Sequence, residues 1–123
     1  MAEIQPGSKQ ILLAEDEPMV LNFMQRLFRS WGYHVLPARN GQEALKIAEE
    51  HQGEIDLLVS DVIMPEMHGP ELAEKLNAKR PKLKVILVSG YSQARIGFQR
   101  GWKFVQKPFR PEELKTAVED SLK

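Results

Sequence analysis

The residues able to do chemistry fall in four short segments. Three acids stand together at Glu15-Asp16-Glu17, with a single carboxylate at Asp61, a hydroxyl at Ser89 and an ammonium at Lys107. Each follows an apolar run: Ile11-Leu12-Leu13-Ala14, Ile55-Asp56-Leu57-Leu58-Val59, Val85-Ile86-Leu87-Val88 and Phe104-Val105. Taken singly, each group has an ordinary explanation. Acids before a helix are stabilised by its dipole, Asp61 before a proline-containing loop suits a turn, and Ser89 and Lys107 read as a loop hydroxyl and a surface cation. Taken together, they are complementary. Carboxylates about 4 Å apart repel by roughly 4 kcal/mol at an effective dielectric near 20, and a divalent cation removes that conflict. An all-oxygen donor set favours Mg²⁺ or Mn²⁺. Shielded in this way, Asp61 can attack a phosphorus centre and form an acyl phosphate, while Lys107 and the Ser89 hydroxyl hold the remaining phosphoryl oxygens.

The apolar runs must position these groups. Continuous runs of this length suit strands buried on both faces, as in a parallel sheet. His34-Val35-Leu36-Pro37-Ala38 is a weaker fifth strand, and Pro37, lacking an N–H, places it at a sheet edge or shortens it. Met19, Phe23 and Leu27, with Val20, Met24 and Phe28 one step round, predict a helix with a broad core-facing apolar stripe that reaches Trp31. Pro18 suits its first turn and Gly32 its stop. Asn40 caps a second helix, with Glu43 at its third position and Ala44, Leu45 and Ala48 buried. A third follows Gly69-Pro70 and stops before Pro81; the last begins at Pro111-Glu112-Glu113. A helix within Ser92 to Arg100 is expected to be short or irregular, given Gly97 and Gly101. Strands and helices in alternation, with right-handed crossovers, give an α/β fold with helices on both faces of a parallel sheet. Ligands bind such sheets at the carboxyl ends of the strands, where the four segments fall.

Composition narrows the class. The 123 residues suit one domain, read as 10–123 after a polar tail or linker remnant at 1–9. Lys plus Arg and Asp plus Glu each number 17, which argues against a dedicated nucleic-acid or anionic-membrane binder. The chain has no cysteine, so disulfides, thiolate metal sites and a Cys nucleophile are excluded. No apolar stretch suits a membrane span or signal peptide, and a cytoplasmic location is expected. His34, His51 and His68 lack metal-ligand spacing and read as structural or surface residues. Trp31 and the Met19/Met24 face read as core, while Trp102 suits burial and exposure equally.

The four segments also resemble the receiver domain of two-component response regulators, over nearly the whole chain from about Gln10 to Lys123. The resemblance rests on Ile11-Leu12-Leu13-Ala14-Glu15-Asp16-Glu17, on Leu58-Val59-Ser60-Asp61-Val62-Ile63-Met64-Pro65-Glu66-Met67-His68-Gly69, on Val85-Ile86-Leu87-Val88-Ser89-Gly90 and on Phe104-Val105-Gln106-Lys107-Pro108-Phe109. It implies a flavodoxin-like (βα)5 fold with strand order 2-1-3-4-5. It implies Asp61 as phosphoacceptor, and Mg²⁺ (or Mn²⁺) held by Asp16, Glu15, Asp61 and the Ile63 carbonyl. Ser89 and Lys107 would bind phosphate, and Ser89 and Phe104 would form the switch. The side chains governing water access to the phosphoryl group would be Ile63 and Tyr91. Glu15 stands where Asp is commoner, Ser89 where Thr is, Phe104 where Tyr is, and the stretch from Ser89 to Lys107 is shorter than usual.

Ser89-Gly90-Tyr91 with Gln106-Lys107-Pro108-Phe109 looks more like the receiver modules of hybrid histidine kinases than those of transcription factors. The implied function is a phosphorelay module, not an enzyme acting on external substrates, that catalyses only its own phosphorylation and dephosphorylation. Its partner would be a histidine kinase or histidine phosphotransfer domain, with weak homodimerisation possible. Three other readings compete. A haloacid-dehalogenase-like phosphatase wants a second acid two residues after the nucleophile, where this chain has Ile63. A flavodoxin-like nucleotide binder wants a phosphate-cradling loop after Ala14, where this chain has acids. A phosphorylation-independent interaction module would not need Asp16, Asp61, Ser89 and Lys107 together.

Overall fold

The computed structural model describes residues 8–90 and 101–123. Its element order is β1 (Gln10–Ala14), α1 (Pro18–Ser30), β2 (His34–Ala38), α2 (Gly41–Glu50), β3 (Leu57–Asp61), α3 (Gly69–Lys79), β4 (Lys84–Ser89), β5 (Lys103–Gln106) and α4 (Pro111–Ser121). All strand pairs are parallel, in the order β2-β1-β3-β4-β5. The expected order is therefore observed, with the proline-bearing β2 at an edge. The polar tail up to Gly7, the helix expected within Ser92 to Arg100, and Tyr91 lie outside the described residues. Lys9 already contributes to the sheet edge, its carbonyl accepting the His34 N–H at 3.0 Å.

Alternation along each strand divides the core into two layers. Leu12, Ala14, Leu58 and Leu87 face one side with Ala44, Ala48, Leu72 and Leu76 of α2 and α3. Ile11, Leu13, Leu57, Val59, Ile86 and Val88 face the other with Met24 and Phe28 of α1 and Leu114 and Val118 of α4. Each such fully buried large side chain contributes about 1.5–3 kcal/mol.

The helix signals act as their chemistry requires. Pro18, Pro70 and Pro111 lie in first turns, where a missing N–H costs nothing. Asn40 Oδ1 accepts the Glu43 N–H at 2.7 Å, satisfying one free donor of α2. At the other end of α2 the Arg80 guanidinium donates to the carbonyls of Ala48, His51 and Gly53 at 3.0, 3.3 and 2.9 Å.

Two expectations need correction. Met19 and Phe23 are not core residues: they are 80% and 49% exposed, while Met24 is 1% exposed. The sheet covers the stripe through Val20, Met24 and Phe28, with Trp31 partly buried at its end, so the buried stripe is one step narrower than the periodicity predicts. β3 also begins at Leu57 and runs through Asp61, so Asp61 ends a strand and is not a turn residue. Trp102 is buried, its indole N–H donating to Asn77 Oδ1 at 3.1 Å.

Candidate functional site

The four chemical segments converge at the carboxyl edge of the sheet. The Glu15 N–H donates to Ala38 O at 3.1 Å, which extends the β1–β2 ladder by one rung. That rung brings the Glu15 side chain inward, 2% exposed, and leaves Asp16 exposed. Asp61 ends β3, and the Val62 N–H beyond it donates to Val88 O at 2.9 Å. Ser89 ends β4, 2% exposed, and its carbonyl accepts the Lys107 N–H at 2.7 Å. Lys107 thereby leaves the edge strand β5 at the carboxyl end of the sheet, followed by a cis bond to Pro108.

One cation serves two acids. Lys107 Nζ lies 3.1 Å from Asp61 Oδ1 and 3.3 Å from Glu15 Oε1. Glu15 Oε2 accepts the Glu17 N–H at 3.0 Å. One carboxylate oxygen each from Glu15, Asp16 and Asp61 lie within 4.8 Å of one another. Three acids against one ammonium leave a surplus of negative charge. Burial, and then the neighbouring Asp16 charge, push the Asp61 carboxyl up against the pull of Lys107. Burial likewise raises Glu15, with Asp61 adding to the shift. Lys107 is raised as well: burial acts to lower it, but the Asp61 and Glu15 carboxylates together outweigh that effect. Partly desolvated, mutually repelling oxygen donors fit a hard divalent cation such as Mg²⁺.

The remaining predicted residues surround this cluster. Ile63 lies two residues beyond Asp61, 50% exposed and unable to hydrogen-bond through its side chain. Phe104 pairs with Leu87 across the β4–β5 ladder and packs, partly buried, on the layer that contains Leu87. Strand alternation therefore sets Ser89 and Phe104 on one face of the sheet.

Sequence reasoning overlooked Ser60 and Gly69. The Ser60 hydroxyl, fully buried, donates to Asp61 O at 2.9 Å. A side chain at Gly69 would collide with that carbonyl. Gly69 enters the sequence reading as a helix start and as the glycine of the Asp61 segment, and nothing in the spacing reveals its contact with the Asp61 carbonyl.

Comparison with known proteins places this geometry. The response regulator receiver domain family matches residues 11–119. The chain belongs to that family. This receiver domain is a phosphorylation-accepting signalling module of the kind found in two-component response regulators and hybrid kinases. It is 43% identical over 122 residues to the sensor kinase CckA of Brucella abortus, a match covering 94% of this chain and 13% of that protein. The response regulator receiver protein CpdR of the same organism is 33% identical, covering 93% of this chain and 97% of CpdR. Among solved structures, the receiver domain of the hybrid histidine kinase CckA superposes with a TM-score of 0.82 at 42% identity, covering 93% of this chain and 99% of that one. The Thermotoga maritima response regulator TrrA, solved in complex with Mg²⁺ and BeF, gives 0.81 at 33% identity with the same coverage.

Proposed function

We infer that this receiver domain accepts a phosphoryl group on Asp61 from the phosphohistidine of a histidine kinase or histidine phosphotransfer domain. The observation that carries the assignment is the position of Asp61 at the end of β3, with the Lys107 ammonium 3.1 Å from its Oδ1 and the acids Glu15 and Asp16 beside it. An Asp61 oxygen attacks phosphorus, the P–N bond breaks, and the leaving imidazole nitrogen keeps the electron pair and takes a proton. Lys107 and Ser89 hold the phosphoryl oxygens. Asp16, Glu15, Asp61 and the Ile63 carbonyl are the proposed holders of Mg²⁺ (or Mn²⁺), whose charge would offset that of the phosphoryl oxygens. The closeness of Glu15, Asp16 and Asp61 supports this donor set, and the likeness to TrrA, solved in complex with Mg²⁺ and BeF, supports a divalent cation.

A phosphoryl group brings nearly two negative charges and new acceptor oxygens. The Ser89 hydroxyl turns toward them, and Phe104, on the same face of the sheet, moves into the space vacated. Loss of the phosphoryl group needs a water oriented in line with the P–O bond. Ile63 offers that water no hydrogen bond, so we assign slow loss to the isolated domain; Tyr91, the second water-access residue proposed, lies outside the described residues. We take residues 10–123 as the working unit. Among the described residues no helix is long and apolar enough to cross a membrane, in keeping with a proposed cytoplasmic site of action. The likeness to CckA supports a place beside a hybrid kinase.

Incubation with acetyl phosphate and Mg²⁺ followed by intact-mass measurement tests the assignment. One acid-labile phosphoryl group is expected on the native chain and none on Asp61→Asn. Modification that persists in that variant would move the acceptor elsewhere.

A further inference from the structure

We propose that Ser60 and Gly69 form a clamp on the main-chain carbonyl of Asp61, making Ser60 a positioning residue for phosphoryl acceptance. The inference rests on the reading of Asp61 as acceptor and adds a device that aims its side chain. Ser60 is wholly buried, 0% exposed, in a layer otherwise formed by Leu12, Leu58, Leu72 and Leu87. A hydroxyl is costly there unless bonded. Its donor goes to the Asp61 carbonyl at 2.9 Å. That carbonyl points at the first residue of α3, where a Cβ on Gly69 would strike the Asp61 carbonyl oxygen and lie 3.1 Å from Ser60 Oγ. The Gly69 N–H is itself committed to Val62 O at 2.8 Å, which fixes the start of α3 against this corner.

The consequence is directional. Asp61 is the last residue of β3, and the ladder continues past it through the Val62 N–H, bonded to Val88 O at 2.9 Å. The Ser60 hydroxyl and the bare Cα of Gly69 hold the Asp61 carbonyl toward α3. The carboxylate on the same residue then faces Lys107, Glu15 and Asp16. Without the clamp, the peptide plane can turn its carbonyl dipole toward a cluster already rich in negative charge, and the carboxylate leaves its productive direction. The device is compact because one hydroxyl both satisfies its own burial and fixes the orientation of the next residue.

The test uses the full chain, with Ser60→Ala and the nearly isosteric Ser60→Cys, whose thiol is a weak donor. Three quantities are read: the rate of mass gain from acetyl phosphate at saturating Mg²⁺, the Mg²⁺ affinity by calorimetry, and the carbonyl ¹³C shift of labelled Asp61. The clamp requires the Asp61 carbonyl resonance to move upfield in both variants. It also requires the rate per folded molecule to fall about fivefold in Ser60→Ala, the equivalent of one ordinary hydrogen bond, and less in Ser60→Cys. An unmoved carbonyl resonance, or an unchanged rate per folded molecule even with a lowered melting temperature, would overturn it. If Ser60→Ala does not fold, Ser60→Cys supplies the same readings. Failure of the acceptor assignment is distinct, because the modification would then persist in Asp61→Asn.

Discussion

Lys107 and Glu15, 92 positions apart in the chain, meet with Nζ 3.3 Å from Oε1. Glu15 is held from its other oxygen by the Glu17 N–H at 3.0 Å, so this acid is already committed on both sides. The same ammonium bonds Asp61 at 3.1 Å, which makes it the local counter-charge for two of the three acids in the cluster.

That division of labour predicts unequal metal affinities. Asp16 is exposed and joins neither ion pair of Lys107, so Asp16→Ala should weaken Mg²⁺ binding roughly tenfold or more, the scale of a lost charge-assisted contact. Glu15→Ala should weaken it less, since the lost carboxylate was shared with Lys107. Calorimetric titration of the three proteins decides the matter; equal affinities would locate the metal elsewhere.

The pH dependence of the metal-free protein follows from burial. Asp61 and Glu15 are raised above their ordinary 3.8 and 4.5, so the folded state keeps protons that the unfolded chain has released. Between the ordinary and raised values, stability falls as pH rises. Lys107, raised above 10.5, adds stability that is fully present below that value and lost as pH climbs through its raised one. Glu43, lowered chiefly by its hydrogen bonds to Arg39, opposes the acid trend, so single variants must isolate it. Asp61→Asn should raise the melting temperature near about pH 7 and flatten the slope from about pH 4 upward in the presence of chelator. A melting temperature unchanged by the substitution would show that the Asp61 charge carries no such cost.

Exposed apolar side chains flank the acids. Met19 and Phe23 on α1 are 80% and 49% exposed, and Ile63 after β3 is 50% exposed. We propose that a protein donor docks over these side chains to bring its phosphohistidine to Asp61, whereas acetyl phosphate needs no such surface. Phe23→Asp should slow phosphotransfer from a phosphorylated histidine phosphotransfer domain by about tenfold, a typical contribution of a well-buried interface side chain. The rate with acetyl phosphate should hold. Parallel loss with both donors would mean that the substitution damages the site itself.

Coupling between Ser89 and Phe104 is open to spectroscopy. Ser89→Ala should still accept the phosphoryl group but respond less in shape, because the hydroxyl proposed to turn toward the new oxygens is gone. Beryllofluoride with Mg²⁺ should shift the Phe104 ring resonances of the native chain more than those of the variant. Identical shifts in both would separate the two residues.

Much of this was legible in the chain itself. The apolar runs alternate with helical patterns, and that order points to a parallel α/β sheet with its chemical residues at the carboxyl ends of the strands. Pro37 marked the edge strand and Asn40 the cap of α2, because both act through their immediate neighbours. The residues themselves suggested Asp61 as nucleophile and Lys107 as phosphoryl holder, and the family resemblance added the proposed roles of Asp16 in metal binding and of Ser89 with Phe104 as a switch.

Tertiary structure decided what depends on how elements meet. Apolar periodicity identifies residues on one side of α1, but the width of the buried stripe depends on how much of the helix the sheet covers, and Met19 and Phe23 fall outside it. The pairing of Lys107 with Glu15 needed the crossovers that bring β5 and β1 to one edge. The Ser60 bond to the Asp61 carbonyl needed α3 to start at Gly69 against the end of β3, and the burial of Trp102 needed Asn77 to meet its indole from α3. Local signals act over one turn or one strand, whereas these contacts join residues whose separation is set by packing, and packing is a property of the whole core.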